Sequence, residues 1–172
     1  MIEILPIAAV APADVEALLD AAFGADRHGR TAYRMRAGTE AIPGLSFAAV
    51  DAGELVGTLQ CWPVRLASPD GTTQSLVMVG PVAVRPDRQR AGIGVALMKH
   101  MLTQADAEGR DALMLIGDPE YYDRLFGFDA RETGKWDVPG PVERRRLLAR
   151  LHGDRLRGLE GMIGPDTGTP LR

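Results

Sequence analysis

The segment that most constrains the fold of this chain is VAVRPDRQRAGIGVALM, residues 82–98, where a strand pattern changes to a helix pattern. Gly92 and Gly94 lie in the predicted first turn of that helix, although glycine inside a helix costs about 1 kcal/mol relative to alanine. Without a Cβ there, backbone N–H groups can approach an anion closely, and the helix dipole favours negative charge. The segment therefore predicts a strand–turn–helix unit that binds phosphate.

Tight packing would explain an isolated pair of glycines more simply, but this pair has the arginines Arg88 and Arg90 beside it, and both suit a phosphate. Two familiar phosphate motifs are excluded. No Gly-Lys-Ser/Thr is present, and Leu97 stands where a dinucleotide fingerprint has its third glycine. We expect a phosphate-bearing ligand other than a P-loop nucleotide or NAD.

The strand before the turn is interrupted by Gly80 and Pro81. Proline cannot donate a ladder hydrogen bond, and glycine in a strand often marks a bulge. We expect the strand to part from its neighbour there, so that the backbone of Val82, Ala83 and Val84 is available to a ligand bearing amides. A phosphate at one end and amides along the body describe coenzyme A.

The remaining pattern is that of one α/β domain over residues 1–172. Alternating and helical hydrophobic spacings, with turn residues between them, define the predicted elements. Strands are predicted over 2–7, 45–50, 55–66, 74–84, 112–117 and 128–132, and helices over 15–23, 91–108 and 118–127, with Asp118 as an N-terminal cap. Residues 27–38 suggest a helix or a loop, and the leucines at 147, 148 and 151 allow a helix with an arginine-rich outer face.

Composition excludes several classes of protein. The net charge of −3 gives no reason to expect a nucleic-acid partner. Cys61 is the single cysteine and the three histidines are far apart, so neither a disulfide framework nor a metal site is expected. Glu3, Pro6 and Pro12 do not suit a signal peptide, and no segment suggests a membrane span. We therefore expect a cytoplasmic protein.

Gln89, Gly92 and Gly94 match the Q/R-x-x-G-x-G/A motif for acetyl-CoA, and Val82, Val84 and Pro86 match the V-x-V-x-P strand end that precedes it. Through these residues the chain resembles the GNAT superfamily of N-acetyltransferases. The segments 80–84, 117–128 and 138–141 further resemble its YhbS-like subgroup of predicted acetyltransferases. The resemblance implies a three-layer α/β/α fold, with a mixed, mostly antiparallel central sheet splayed between the fourth and fifth strands.

The activity implied by the resemblance is direct transfer of an acetyl group from acetyl-CoA to a primary amine of a small-molecule or peptide acceptor, without a metal. A homodimer is compatible with it. Strand backbone would hold the pantetheine amides, and N–H groups of the turn would hold the pyrophosphate. The implied cofactor-binding residues are Val82, Ala83, Val84, Gln89, Arg90, Ala91, Gly92, Gly94 and Val95.

The resemblance also implies a tyrosine that protonates the departing CoA thiolate, because a phenol with a pKa near 10 is protonated at neutral pH. Tyr122 is our candidate, and Tyr121 is the alternative. In this chain Tyr122 stands five residues before Gly127, where relatives commonly have four, and packing is the competing role of both tyrosines. No general base is assigned: Asp118 is more simply a helix cap, Glu54 a turn residue, and Glu120 the remaining carboxylate.

Several residues keep two interpretations. His28 and the arginines 27, 30, 34 and 36 could bind an acidic acceptor or form a solvated face. Trp62 and Trp136 could line an acceptor pocket, although packing is the simpler role. Two rival functions remain open: a non-catalytic acyl-CoA-binding sensor, and a protein-interaction module that uses the arginine-rich segment 144–157.

Overall fold

The computed structural model describes residues 1–168, and within them the chain forms eight strands and four α-helices. The strands are β1 (Ile2–Pro6), β2 (Phe47–Asp51), β3 (Glu54–Ala67), β4 (Thr73–Val84), β5 (Ala112–Ile116), β6 (Trp136–Asp137), β7 (Leu147–Leu151) and β8 (Gly161–Pro165). The helices are α1 (Pro12–Phe23), α2 (Thr31–Met35), α3 (Ile93–Ala107) and α4 (Pro119–Phe126).

The strands are ordered β1-β2-β3-β4-β5-β7, and β8 pairs with β3 and β6. Pairing is antiparallel for β1–β2, β2–β3, β3–β8 and β5–β7, and parallel for β4–β5 and β6–β8. The parallel β4–β5 ladder joins Val77 to Leu113 and Met78 to Met114, just before Gly80. The predicted mixed, mostly antiparallel sheet is confirmed.

Contacts within the chain divide it into two compact units. The first comprises residues 1–28, 41–61 and 79–109, and the second comprises 29–40, 62–78 and, of the described residues, 110–168. The single domain expected from the sequence stays a prediction.

The first unit is built on β1, β2 and the beginning of β3. Pro12 opens α1, where its missing N–H costs nothing, and Gly24 ends the helix with a φ of 93°. The buried face of α1 presents Val15, Leu18 and Leu19, which pack with Ala83 of β4. Helical spacing of apolar residues predicts this face, and it anchors the end of β4.

The second unit has its own hydrophobic core, in which β5 is central. Ala112 to Leu115 are all buried, as expected for a strand covered on both faces. The Trp136 side chain is fully buried in this core, so it packs there and does not line a pocket, in agreement with the simpler of its two predicted roles.

The helix suggested around leucines 147, 148 and 151 is wrong. Residues 144–146 form a short 3-10 turn, and Leu147–Leu151 is the strand β7, which pairs antiparallel with β5 from Ile116 to Ala112. The cause is tertiary: Leu147, Leu148 and Ala149 are buried consecutively, and a strand covered on both faces accommodates that pattern better than an amphipathic helix.

The strand predicted over 128–132 reduces to one bridge between Asp129 and Ala149. The Arg131 backbone N–H donates to the Asp129 carboxylate at 3.0 Å, and this local turn replaces a continuing ladder. The sequence analysis also missed the short strands β6 and β8.

Among residues 1–168, none of the helices has the length and apolar character needed to cross a membrane.

Candidate functional site

The predicted phosphate-binding turn has the geometry of an anion site. Gly92 is the N-terminal cap residue of α3, with φ 80° and ψ 9°, and no side chain caps the helix start. The first intrahelical bond runs from the Ala96 N–H to the Gly92 carbonyl at 3.0 Å. The N–H groups before Ala96, including those of Gly94 and Val95, belong to the first turn, where a helix lacks internal acceptors. They are therefore available to a ligand.

The glycine at position 92 is explained by its backbone conformation. Its left-handed φ is unfavourable for other residues, whereas a Cβ added there would meet no protein atom within 4 Å. Arg90 also has a positive φ, 69°, although it carries a side chain. Arg90 and Gly92 are left-handed, whereas Ala91 between them is not, and such an alternation directs successive N–H groups to one side of a turn. This turn presents N–H groups on an open surface.

The arginines near this turn differ in their partners. Arg85 bonds Asp87 and Glu54, and Arg88 bonds Asp51 at 2.7 Å, an interaction that lowers the pKa of the Asp51 carboxyl. Within residues 1–168, Arg90 forms no ion pair, and it is exposed. Arg88, which the sequence suggested as a phosphate ligand, is therefore held by a carboxylate, and Arg90 is the better placed cation.

The start of α3 is held against β3 at a residue without a side chain. A Cβ added at Gly57 would lie 2.8 Å from Ile93 Cγ2, 3.1 Å from the Ala83 carbonyl oxygen and 3.2 Å from Leu97 Cδ1. Gly57 thus lets the first turns of α3 approach β3 and β4 closely. No local pattern marks this role, because an isolated glycine in a strand pattern has several explanations.

The strand segment predicted to bind the cofactor amides directly precedes the turn. Gly80 has a φ of 126°, which glycine tolerates best. The strand β4 nevertheless runs from Thr73 to Val84 without a break, and its ladder with β5 ends at Met78. Ala83 is buried, whereas Val82 and Val84 are half-buried. The alternation indicates that Val82 and Val84 share the face opposite Ala83. Their roles in cofactor binding stay predictions.

Tyr122 packs tightly within the second unit. A Cβ at Gly117 would lie 2.5 Å from Cε2 of Tyr122, so the ring rests directly on the glycine backbone. Tyr121 contacts it edge to face, with ring centroids 4.9 Å apart. Burial raises the pKa of Tyr122 to about 12 and also raises that of Tyr121. The Tyr122 phenol is therefore fully protonated at neutral pH and can donate a proton or a hydrogen bond.

The candidate carboxylates are all in ion pairs. Asp118 stands at the start of α4, but its side chain makes no capping bond; it lies 3.2 Å from Nε of Arg146 instead. Asp118 therefore occupies the predicted N-cap position without making a side-chain capping bond. Glu120 pairs with Arg145 and Glu54 with Arg85. None of these carboxylates is marked out as a base.

Three arginines before, within and just after α2 have structural partners. Arg27 is 2% exposed and bonds Glu16 and Asp20 of α1. In the second unit, the Arg36 guanidinium lies between the rings of Tyr33 and Trp62, 3.9 Å and 3.8 Å from their centroids. Arg34 donates to the Pro139 carbonyl at 3.2 Å. A simple solvated face does not describe these residues.

Histidine, cysteine and acidic side chains do not come together in a group that could hold a metal anywhere in residues 1–168.

The sequence analysis found the glycine turn and the tyrosine pair, and it missed Gly57, Gly117 and the left-handed conformation of Arg90. The roles of Gly57 and Gly117 become visible only from the side chains packed against them, Ile93 and Tyr122.

Comparisons with known proteins agree with this arrangement. The family model for the acetyltransferase (GNAT) domain matches residues 9–130. An uncharacterized N-acetyltransferase, YhbS of Escherichia coli K12, is 28% identical over 151 residues, which cover 87% of each protein. The same protein occurs in two further E. coli strains with the same identity.

Solved structures show the same fold. The crystal structure of YhbS from E. coli in complex with CoA has a TM-score of 0.71 and 25% identity, over 96% of this chain and 88% of that one. A GNAT family acetyltransferase from Brucella melitensis, in complex with acetyl-CoA, has a TM-score of 0.67 and 24% identity, over 97% of each chain. The latter likeness bears on the fold alone.

Proposed function

Because the chain belongs to the GNAT acetyltransferase family, we propose that it transfers an acetyl group directly from acetyl-CoA to a primary amine. The observation that carries the proposal is the uncapped first turn of α3 behind the left-handed Gly92. Backbone donors, a favourable helix dipole and the exposed Arg90 together suit a diphosphate. Acetyl-CoA carries such a diphosphate. NAD-binding and P-loop proteins bind theirs through other sequence motifs, which this chain lacks.

Each predicted cofactor residue has a role in this proposal. The N–H groups from Gln89 through Val95 bind the pyrophosphate, and the Arg90 guanidinium adds a charge-assisted bond. The backbone of Val82 to Val84 binds the pantetheine amides. A nearly identical ligand is bound by the relative from E. coli, whose structure is described as a complex with CoA. That likeness supports the assignment without depending on any single side chain.

Acetyl-CoA supplies an activated acyl group as a thioester. In the transfer the amine nitrogen forms a bond to the acetyl carbon, the bond from that carbon to sulfur breaks, and the amine loses a proton while the sulfur gains one. We assign the proton donor for sulfur to Tyr122. Its raised pKa, about 12, keeps the phenol protonated at every pH at which the enzyme would work.

A second candidate function is an acyl-CoA-binding sensor without catalysis. The observation that favours it is the pairing of Glu54, Asp118 and Glu120 with arginines, which leaves the proposed site without an obvious carboxylate base. The interaction module has less support. Its arginines 144, 145, 146, 155 and 157 form ion pairs within the second unit.

Two measurements separate the candidates. Titration calorimetry with acetyl-CoA tests binding, and release of CoA thiol tests turnover with spermidine, L-lysine, tyramine and kanamycin as amines. Binding with amine-dependent thiol release supports the enzyme. Binding with no release on any amine favours the sensor, and the lack of any acetyl-CoA binding contradicts both.

A further inference from the structure

Two buried side-chain oxygens on β3 have no partner in the protein. Thr58 is 0% exposed, and its Oγ1 has no hydrogen-bond partner within residues 1–168. The same is true of Gln60 Oε1, which is also shielded from solvent although the Gln60 side chain is half-buried. A buried oxygen without a donor is unfavourable unless a ligand or a water supplies the bond. The pair therefore provides two unpaired hydrogen-bond acceptors in the buried part of β3.

One backbone bond shows what lies beside this pair. The Arg85 N–H donates to the Val56 carbonyl at 2.9 Å, where β3 runs alongside β4. Extending the antiparallel alignment by two residues from this bond places Thr58 opposite Ala83. Gln60 follows two residues later on β3, so its side chain points to the same face as that of Thr58. Both oxygens therefore neighbour the β4 segment that we propose for the pantetheine arm.

Thr58 and Gln60 belong to the sheet face that α1 covers. Opposed residues share a face, and Ala83 packs against α1. Gly57 has the opposite orientation, because a Cβ there would contact Ile93 of α3. The two oxygens thus lie on the face away from α3. A group bound by them would approach the β4 segment from the side opposite the helix that holds the phosphates.

We propose that Thr58 and Gln60 bind the nitrogen of the acceptor amine. This inference rests on the proposed function and deepens it. Hydroxyl and amide oxygens accept hydrogen bonds, and an amine nitrogen carries N–H donors for both. The neutral amine attacks the acetyl carbon as the bond to sulfur breaks, its proton passes to solvent, and the sulfur takes a proton from Tyr122. Thr58 and Gln60 orient the nitrogen and do not act as bases.

The test replaces each oxygen by a group of similar shape, in Thr58→Val and Gln60→Met. Thr103→Val and Gln104→Met are matched controls, because these residues are exposed on α3, outside the proposed site. Initial rates are measured with spermidine, L-lysine or tyramine at varied amine and acetyl-CoA concentrations. We expect the KM for the amine to rise about tenfold with each lost bond, and the KM for acetyl-CoA to stay unchanged.

Thermal unfolding separates binding from a structural role. Removing an unpartnered buried oxygen should leave the melting temperature of each variant unchanged or higher. If Thr58 or Gln60 instead stabilises the fold, its variant should melt at a lower temperature. An unchanged amine KM in both variants, with normal acetyl-CoA binding, overturns the assignment and leaves the proposed function intact. Failure of the unmodified protein to bind acetyl-CoA instead overturns the proposed function.

A second measurement needs no turnover. Crystals of the acetyl-CoA complex are soaked with methylammonium, the smallest alkyl amine probe. A nitrogen within hydrogen-bond distance of Thr58 Oγ1 and Gln60 Oε1 supports the proposal. Methylammonium bound only elsewhere, or not bound beside these oxygens at all, overturns it.

Discussion

The absence of a side chain at Gly57 brings β3 into direct contact with Ile93, the first residue of α3. A Cβ added to Gly57 would lie 2.8 Å from Ile93 Cγ2, closer than packed carbon atoms approach. Ile93 follows the cap residue Gly92 directly, so this contact fixes where the proposed phosphate-binding donors lie relative to β4. Packing under the helix therefore determines the position of the site above it.

Gly57→Ala is expected to force Ile93 outward. Overpacking of this kind lowers the free energy of unfolding by about 1–3 kcal/mol, and the displaced first turn weakens acetyl-CoA binding. Urea unfolding and titration calorimetry measure the two effects. Gly29→Ala is the control, since a Cβ there meets nothing within 4 Å. Equal stability and affinity in both variants would show that the helix start does not depend on Gly57.

Gly92→Ala tests the left-handed cap without any steric clash. A Cβ at Gly92 meets no protein atom within 4 Å, so the variant suffers only from its φ of 80°. That conformation costs an alanine about 1–2 kcal/mol, and relaxation of the turn would misdirect its N–H groups. We expect about tenfold weaker acetyl-CoA binding by calorimetry. Gly134→Ala, in open space at ordinary φ, should bind normally.

Much of the fold follows from local pattern. The apolar spacing of α1 and α3, the hairpin of β2 and β3, and the glycine turn are each encoded in a short, continuous stretch of sequence. Segment 147–151 was predicted wrongly because its burial comes from pairing with β5, which is far away in sequence. The short strands β6 and β8 depend on such pairing too, and no local signal marks them.

The candidate site divides in the same way. Backbone donors follow from the order of residues, so the turn at Gly92 was predictable, whereas the partners of side chains were not. Arg88 and Arg90 are equivalent in the sequence, but only the structure shows that Arg88 bonds Asp51. Thr58 and Gln60 likewise look like ordinary strand residues until their burial and lack of partners are known.

Tyr122→Phe removes the proposed proton donor and retains the ring that packs on Gly117. Turnover should fall by about 100-fold while acetyl-CoA affinity stays the same. Because burial raises the pKa of Tyr122 to about 12, deprotonation of this phenol should not limit the rate at any pH up to about 10. Thiol release across this pH range provides the measurement. Tyr121→Phe is the matched variant; if it loses as much activity, the assignment of the acid is wrong.

The Asp111 carboxylate gives a pH-dependent contribution to stability. Arg155 donates to both of its oxygens, at 2.9 Å and 2.8 Å, which lowers the pKa of Asp111 below its ordinary value of 3.8. A lowered pKa stabilises the fold above the ordinary value, and the gain is lost as the pH falls through the folded value. The melting temperature of the unmodified protein should exceed that of Asp111→Asn at pH 6 and approach it near pH 2. A difference that is constant with pH would exclude the ion pair as its cause.

Arg27 allows the loss of a buried cation to be compared with the loss of the two exposed carboxylates that pair with it. Its side chain is 2% exposed, whereas those of Glu16 and Asp20 are 57% and 49% exposed. The double variant Glu16→Gln/Asp20→Asn leaves a buried cation without its carboxylates, which should cost about 3 kcal/mol in urea unfolding. Arg27→Met should cost less, because the carboxylates that remain are hydrated. Asp14→Asn, also on α1, controls for loss of charge. Greater destabilisation by Arg27→Met would show that packing of the arginine stem, and not its charge, stabilises this end of α1.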